Sequence, residues 1–264
     1  MDLGLAGAYA VVQGGTRGMG RAAAECFAAD GASVAVLGRT QADLDVTVAA
    51  LRELGAPDVL GLRADITSNE EVTAAFQVVK ERWSHLNILV NAAGPAGGGR
   101  FEKLTDEDWL AVLDAGALGM VRCVRAALPL LRAAEWARIV NVSAHSTKRQ
   151  SEALVAYTAA KSAVTSVTKN LSLSLAKDEI LVNTVSPGAF LSEALRGWAQ
   201  SVGINPDNPY AVMDGIDKHF GHPAHLPRAG MPSEIGPVIA FVASRQNTYM
   251  TGANINVDGG SDFT

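Results

Sequence analysis

The chain has 264 residues and a mass of 27.5 kDa, with 48% hydrophobic and 19% charged residues. That length fits one α/β domain or two small ones, and the composition excludes a chain disordered throughout. A formal net charge of −5 argues against nucleic acid as a partner and against a polybasic membrane patch.

Short β-branched runs alternate with longer helical patterns from the start. A strand over 8–13 leads through a glycine-rich turn into a helix over 19–29. A strand over 33–37 precedes a helix over 41–54, where Leu44, Val48 and Leu51 share one face and Gly55 gives the stop. A third strand, 59–63, is followed by a helix over 70–83 and a fourth strand over 88–91. A long helix over 106–131 carries Gly116, Gly119 and Pro129 as interruptions. A strand over 138–143, a helix over 153–176, a strand over 180–185 and a last strand over 255–257 complete the series. Strict alternation with apolar strands predicts an α/β fold: a parallel sheet, doubly wound, with helices on both faces.

One segment breaks the rhythm. Residues 191–227 contain four prolines and several large apolar side chains, and read as a lid over a pocket. Leu191, Leu195, Trp198, Tyr210, Met213 and Phe220 either cover an apolar substrate or pack on the scaffold or a neighbouring subunit. His219, His222 and His225 recur every third residue, but Pro223 interrupts any helix that would align them, so no metal is expected. Cys26 and Cys123 fall inside helical patterns and read as small buried residues, without a disulfide framework. Residues 1–10 lack a basic start and apolar run, and no charge-free apolar stretch reaches about 18 residues. The expectation is a cytoplasmic protein with no membrane span.

The turn after the first strand reads Gly14-Gly15-Thr16-Arg17-Gly18-Met19-Gly20. Glycines there let the backbone turn sharply and approach a ligand, and the helix start behind them offers N–H groups and a positive dipole end to a pyrophosphate.

Several motifs follow in a familiar order. Gly14-x-x-x-Gly18-x-Gly20, Asn91-Ala92-Ala93-Gly94, Tyr157-x-x-x-Lys161, Pro187-Gly188 and Val257-Asp258-Gly259-Gly260 resemble the short-chain dehydrogenases/reductases, over about residues 5–260. The resemblance implies a single-domain Rossmann-type fold over 1–264 that binds NAD or NADP and forms a homotetramer. It places Gly14, Thr16, Arg17, Gly18, Met19 and Gly20 at the phosphates, and Asp65 and Ile66 beside the adenine. Asn91, Ala92 and Gly94 would line the central crevice, and Pro187, Gly188 and Phe190 would meet the nicotinamide amide through their backbone. Thr40 and Ser192 are weaker candidates. An acidic residue after the second strand would favour NAD. Gly38-Arg39-Thr40 stands there instead, so NADP is the preferred cofactor, with Arg39 and Arg17 facing its 2′-phosphate.

Tyr157 and Lys161 lie four apart on one helical face. A free phenol has a pKa near 10, and a neighbouring ammonium favours the phenolate. Lys161, with the positive ring of an oxidised nicotinamide, is expected to draw the phenol toward neutral pH, so that it exchanges a proton with the substrate oxygen.

Three positions depart from the family. Gln13 stands where threonine is usual. A serine that bonds the substrate oxygen is expected at 144, but the residue is Ala144; Ser143 is the first substitute and Ser146 the second. A one-residue shift on a strand turns Ser143 to the opposite face unless a bulge restores its aim. An asparagine that holds a relay water is expected where Gly116 stands. His145, nearby, either contacts the substrate or is an ordinary loop histidine. Residues 228–234 resemble the lead into the family's last helix, with Ser233 as its cap.

The sequence therefore points to an NADP(H)-dependent oxidoreductase that interconverts a ketone and a secondary alcohol, similar to 3-oxoacyl carrier-protein reductases. Its substrate would be a small, apolar carbonyl or alcohol compound. The readings held beside it are a low-turnover nucleotide-binding sensor or assembly protein, and another reaction such as dehydration or epimerisation on the same scaffold.

Overall fold

The computed structural model describes residues 2–95, 98–221 and 223–261. Seven strands form one parallel sheet: β1 (Tyr9–Gln13), β2 (Ser33–Gly38), β3 (Val59–Arg63), β4 (Ile88–Asn91), β5 (Ala137–Val142), β6 (Ile180–Pro187) and β7 (Asn254–Val257), in the order β3-β2-β1-β4-β5-β6-β7. The chain runs from β1 to one edge, then returns to place β4 on the other side of β1. Strand order reverses between β1 and β4, and the crevice beyond their carboxyl ends is where such sheets bind ligands.

The sheet's period of two divides the core. Val12, Val90 and Val140 face α1 (Gly18–Ala29) and α9 (Pro232–Ala243), with Phe27, Ile235 and Ile239. Their neighbours Val11, Leu89 and Ile139 face α3 (Asn69–Arg82) and α5 (Gly119–Arg132), with Phe76, Val79 and Leu131. The strands are apolar on both sides because helices cover both sides. The second helix, α2 (Gln41–Glu53), packs Leu44 and Leu51 into the first of these clusters.

The long helix expected over 106–131 is divided. Thr105 starts α4 (Asp106–Leu113) with a capping box closed by Asp108; a π turn over Asp114–Leu118 then widens the coil before α5 begins. Pro129, expected as a break, lies inside α5, which continues to Arg132. The helix α6 (Val155–Ser174) carries Tyr157 and Lys161.

The irregular segment contains two helices, α7 (Glu193–Ser201) and α8 (Pro209–Phe220). Ser192 caps the first by accepting from the Leu195 amide, Asn208 caps the second, and Gly221 ends α8 in a left-handed conformation at φ 63°. Leu191, Ala199, Val212, Met213 and Ile216 form a small core of their own, joined by Leu195 and Trp198. Tyr210 and Phe220 remain exposed. The cap expected at Ser233 is displaced: Pro232 already occupies the first helical position, and the Glu234 carboxylate accepts the Met231 N–H at 2.7 Å.

Gly116 sits in the π turn, where a Cβ would lie 2.7 Å from Ala160 Cβ and 3.0 Å from Pro95 Cγ. The turn lets α6 pack closely, and the same packing closes the space in which an asparagine side chain was expected. Gly116→Asn should therefore destabilise the protein by about 2 kcal/mol through overpacking. Thermal unfolding checks this; an unchanged or raised Tm would contradict it.

Candidate active site

The turn behind β1 is built by close approaches. Gly14, at φ 75°, would place a Cβ 2.5 Å from the Ala93 nitrogen, and a Cβ on Gly20 would lie 2.3 Å from the Gly14 oxygen. The turn thus lies flat against Ala92 and Ala93. Gln13 holds the same loop: its backbone oxygen accepts from Ala92 at 2.9 Å and its side-chain oxygen accepts from Ala93 at 3.1 Å. The longer side chain at this departure serves as a brace for the crevice wall. Arg17 occupies the N-cap of α1 without a side-chain cap, so the helix start behind Gly18 is open to an anion. Met19 packs against the core below, and Thr16 lies over Gly38.

At the crevice floor Asn91 donates to Asn141 at 2.8 Å, and Asn141 donates to Thr168 at 2.9 Å. The Asn91 side-chain oxygen is buried and has no partner among the described residues. A cradle that only glycines fit and an orphaned acceptor at its floor both suit a bound dinucleotide.

Toward the outer edge, Arg39 is exposed after β2. Asp65 lies near enough that hydrogen bonds from Thr67, and to a smaller extent the Arg39 charge, hold its carboxyl below the usual range. Ile66 packs on Gly119, while its carbonyl accepts from Arg122 at 3.0 Å. Arg17 departs from expectation. Its guanidinium pairs with Asp43 of α2 at 2.6 Å and with Glu193 of α7, so without a nucleotide it bridges the turn to α7. The cause is the acidic first turn of both helices, which presents carboxylates to the same cation.

Tyr157 and Lys161 meet where β5 ends. The Lys161 side chain is 3% exposed; its ammonium donates to the Val142 carbonyl at 2.8 Å and lies 6.0 Å from the centre of the Tyr157 ring. Gly94 leaves it room, since a Cβ there would lie 3.0 Å from Lys161 Nζ. Among the described residues no carboxylate pairs with this ammonium. Burial pushes the Tyr157 phenol up to about 12 and the Lys161 ammonium down to about 8. Without a nucleotide, burial therefore keeps the phenol protonated; the expected lowering involves the oxidised nicotinamide as well as Lys161.

Ser143 does not take the place of the missing serine. Its amide still donates to Val185 at 2.9 Å, so no bulge intervenes and strand alternation holds. Its hydroxyl donates to the Lys161 carbonyl at 2.9 Å and meets Thr165 at 3.0 Å. Ser146 is buried against the Thr158 hydroxyl at 3.4 Å. His145 meets the Pro187 carbonyl through Nδ1 at 3.2 Å. Gly188 donates to Val257 at 2.9 Å and lies against Asp258, while the Phe190 ring turns into the core onto Gly230. The three-histidine series disperses: His219 packs edge-on to Trp198, His225 lies against Gly260, and His222 lies outside the described residues.

A doubly wound sheet with a glycine cradle at its switch point, and a tyrosine–lysine pair beside it, defines a dinucleotide-dependent class of enzyme. Comparison with known proteins bears on which one. A family model described as enoyl-(acyl carrier protein) reductase matches residues 14–262. The chain is 33% identical to the short-chain reductase protein NovJ of Streptomyces niveus, over 95% of this chain and 92% of that protein. It is 28% identical to the 3-oxoacyl-[acyl-carrier-protein] reductase FabG of Aquifex aeolicus, over 98% and 99%. Its fold is similar to that of L-sorbose reductase from Gluconobacter frateurii, solved in complex with NADPH and L-sorbose, with a TM-score of 0.92, 27% identity and full coverage of both chains. The chain belongs to the short-chain dehydrogenase/reductase family and is an oxidoreductase of that family. Among the described residues no helix is long and apolar enough to cross a membrane.

The buried ammonium has a cost that can be measured. Its pKa of about 8 lies below the ordinary 10.5, so between those values the unfolded chain binds more protons. The penalty, about 3 kcal/mol, is full below pH 8 and fades as pH rises to 10.5. Losing the Val142 hydrogen bond offsets about 1 kcal/mol of any gain. Lys161→Met should raise the Tm of the ligand-free protein by several degrees at pH 7, with the gain shrinking at pH 10. A lower Tm at both values would contradict this reading.

Proposed function

We propose that the protein is an NADP(H)-dependent ketoreductase, in which Tyr157 exchanges the proton and Lys161 stabilises the phenolate. The observation that carries this reading is the Lys161 ammonium, buried beside Tyr157 without a carboxylate and with only a carbonyl to hold it. A core built for stability alone would place an apolar side chain there.

The bound nicotinamide would supply or accept the hydride. Tyr157, kept protonated by burial, acts as general acid toward the forming alkoxide. Lys161 then faces the phenolate and offsets its charge. Ser143 acts from behind, anchoring the Lys161 turn of α6 to the end of β5. Gly14, Gly18 and Gly20 bring backbone to the pyrophosphate, and Asn91, Ala92 and Gly94 form the crevice wall. Asp65 and Ile66 flank the adenine, and the Pro187–Phe190 backbone meets the carboxamide. NADP is favoured because β2 ends in Arg39 rather than a carboxylate, and L-sorbose reductase, with the same fold, was solved with NADPH. A ketone substrate is supported by the reductases to which the chain is similar. Exposed Leu110, Leu118, Leu173 and Tyr249 support a homotetramer.

A second reading, nucleotide binding with little turnover, is favoured by one observation: Ala144 has no hydroxyl and Ser143 gives its own to α6. Kinetics separate the two. NADPH oxidation against a panel of ketones should fall by about a thousandfold in Tyr157→Phe. Turnover that survives this change would contradict the proton-donor role, and NADPH binding without turnover on any ketone would favour the second reading. For the cofactor, Arg39→Asp should weaken NADPH binding by about a hundredfold and NADH binding by under about threefold. Equal losses by titration would contradict the 2′-phosphate assignment.

A further inference from the structure

Loops that leave the carboxyl ends of β5 and β6 rise from the same edge of the sheet. One leads to Tyr157. The other carries α7 and α8, leaving the sheet at Phe190 and returning at Gly230, where the two residues form a bridge. Nothing in the sequence pattern ties them together. In the structure the Arg149 side chain does. Arg149 donates from one guanidinium nitrogen to Gly221 O at 2.9 Å, and from another to Ser261 O at 3.0 Å and Pro223 O at 3.4 Å.

These carbonyls belong to the end of α8, to the segment after it and to the turn after β7. Gly221 is the left-handed residue that ends α8, and its carbonyl lies at the negative end of the helix dipole. A planar cation with forked donors suits converging carbonyls, which would otherwise repel one another. The segment is also pinned on its return: Leu226 donates to Gly259 at 2.9 Å, and the His225 ring lies against Gly260. The far end of α8 packs His219 and Phe220 on Trp198 of α7, and Arg149 adds the polar tie from that end to the Tyr157 loop. Its near end is held separately, by Asn208 and by Ala229 donating to Pro209 at 2.9 Å.

We infer that Arg149 is a positioning residue that fixes the far end of α8 beside the Tyr157 loop, and thereby sets how firmly a carbonyl substrate is held. The substrate part of this inference rests on the ketoreductase reading. The mechanical part stands on the three hydrogen bonds alone. Arg149 touches no reacting group, so its effect passes through the cover: substrate affinity changes, while proton transfer by Tyr157 does not.

Hydrogen–deuterium exchange on the ligand-free protein reads the hold directly. Arg149→Met should speed exchange of the α8 amides by about tenfold, with Arg149→Lys between it and wild type and α1 unchanged. With NADPH and either butanone or α-tetralone, Arg149→Met should raise the ketone KM by about tenfold, keep kcat within about threefold and leave the NADPH Kd unchanged. Exchange in α8 that stays at the wild-type rate overturns the inference, as does an unchanged KM despite faster exchange. An NADPH Kd that rises in step with KM also overturns it, because that marks general loosening. Should Arg149→Met fail to fold, Arg149→Lys is judged by the same readouts. Wild-type protein that oxidises NADPH with no ketone sinks the ketoreductase reading, and the exchange measurement then decides the hold on its own.

Discussion

A buried ammonium beside a half-buried phenol is the constraint on which the site depends. Lys161 has a backbone carbonyl for company and no carboxylate among the described residues, and the apolar surroundings disfavour its charge. The same surroundings disfavour a charged Tyr157. Each group alone is held in its neutral form more strongly than in water, yet the phenolate and the ammonium stabilise each other when both are charged. At neutral pH the ligand-free pair is therefore a protonated phenol beside a charged ammonium, and on the proposed reading further positive charge in the crevice lowers the phenol's pKa. The desolvation that makes this arrangement unfavourable for stability is the source of its sensitivity.

The fold supplies what this pair requires. Parallel pairing brings the ends of β4, β5 and β6 to one edge, so Asn91, Val142 and Pro187 converge although they are distant in sequence. The Asn91–Asn141–Thr168 hydrogen bonds and the Ser143 hydroxyl tie α6 to the sheet at Lys161 and two turns beyond it. The π turn at Gly116 lets α4 and the turn itself close against α6, and Gln13 braces the opposite wall. Each contact limits movement of one of the elements that carry the site. That is how modest individual hydrogen bonds fix the geometry of a site.

Much of this was legible in the sequence, because it is local. Strand and helix periods, the glycine turn and the four-residue Tyr157–Lys161 spacing are properties of short windows, and the seven strands and the doubly wound order followed from them. The interruption at Gly116 was visible as a glycine in a helical pattern, although the π turn it permits was not. What the sequence concealed is long-range. Arg17 meets Glu193 across 176 positions, and Arg149 meets Ser261 across 112, so neither pairing leaves a local pattern. The direction of Ser143 depended on whether a bulge follows β5, which the hydrogen bond to Val185 decides. The helices α7 and α8 lay hidden in a segment whose prolines break the helical pattern, although Pro206 only separates them and Pro209 starts α8. The signal for Arg149, had it been sought, was an arginine in the loop before Tyr157, opposite a segment rich in glycine and proline whose carbonyls lack regular partners.

The central claim is that the phenol of Tyr157 is held protonated by burial and released by positive charge in the crevice. Ultraviolet titration of the phenolate, taken as the difference between wild type and Tyr157→Phe, measures it in ligand-free protein and with saturating NADP⁺. The expected result is a pKa near 12 without the nucleotide, falling below about 9 with it. A phenol that titrates at the same pH in both states would contradict the account.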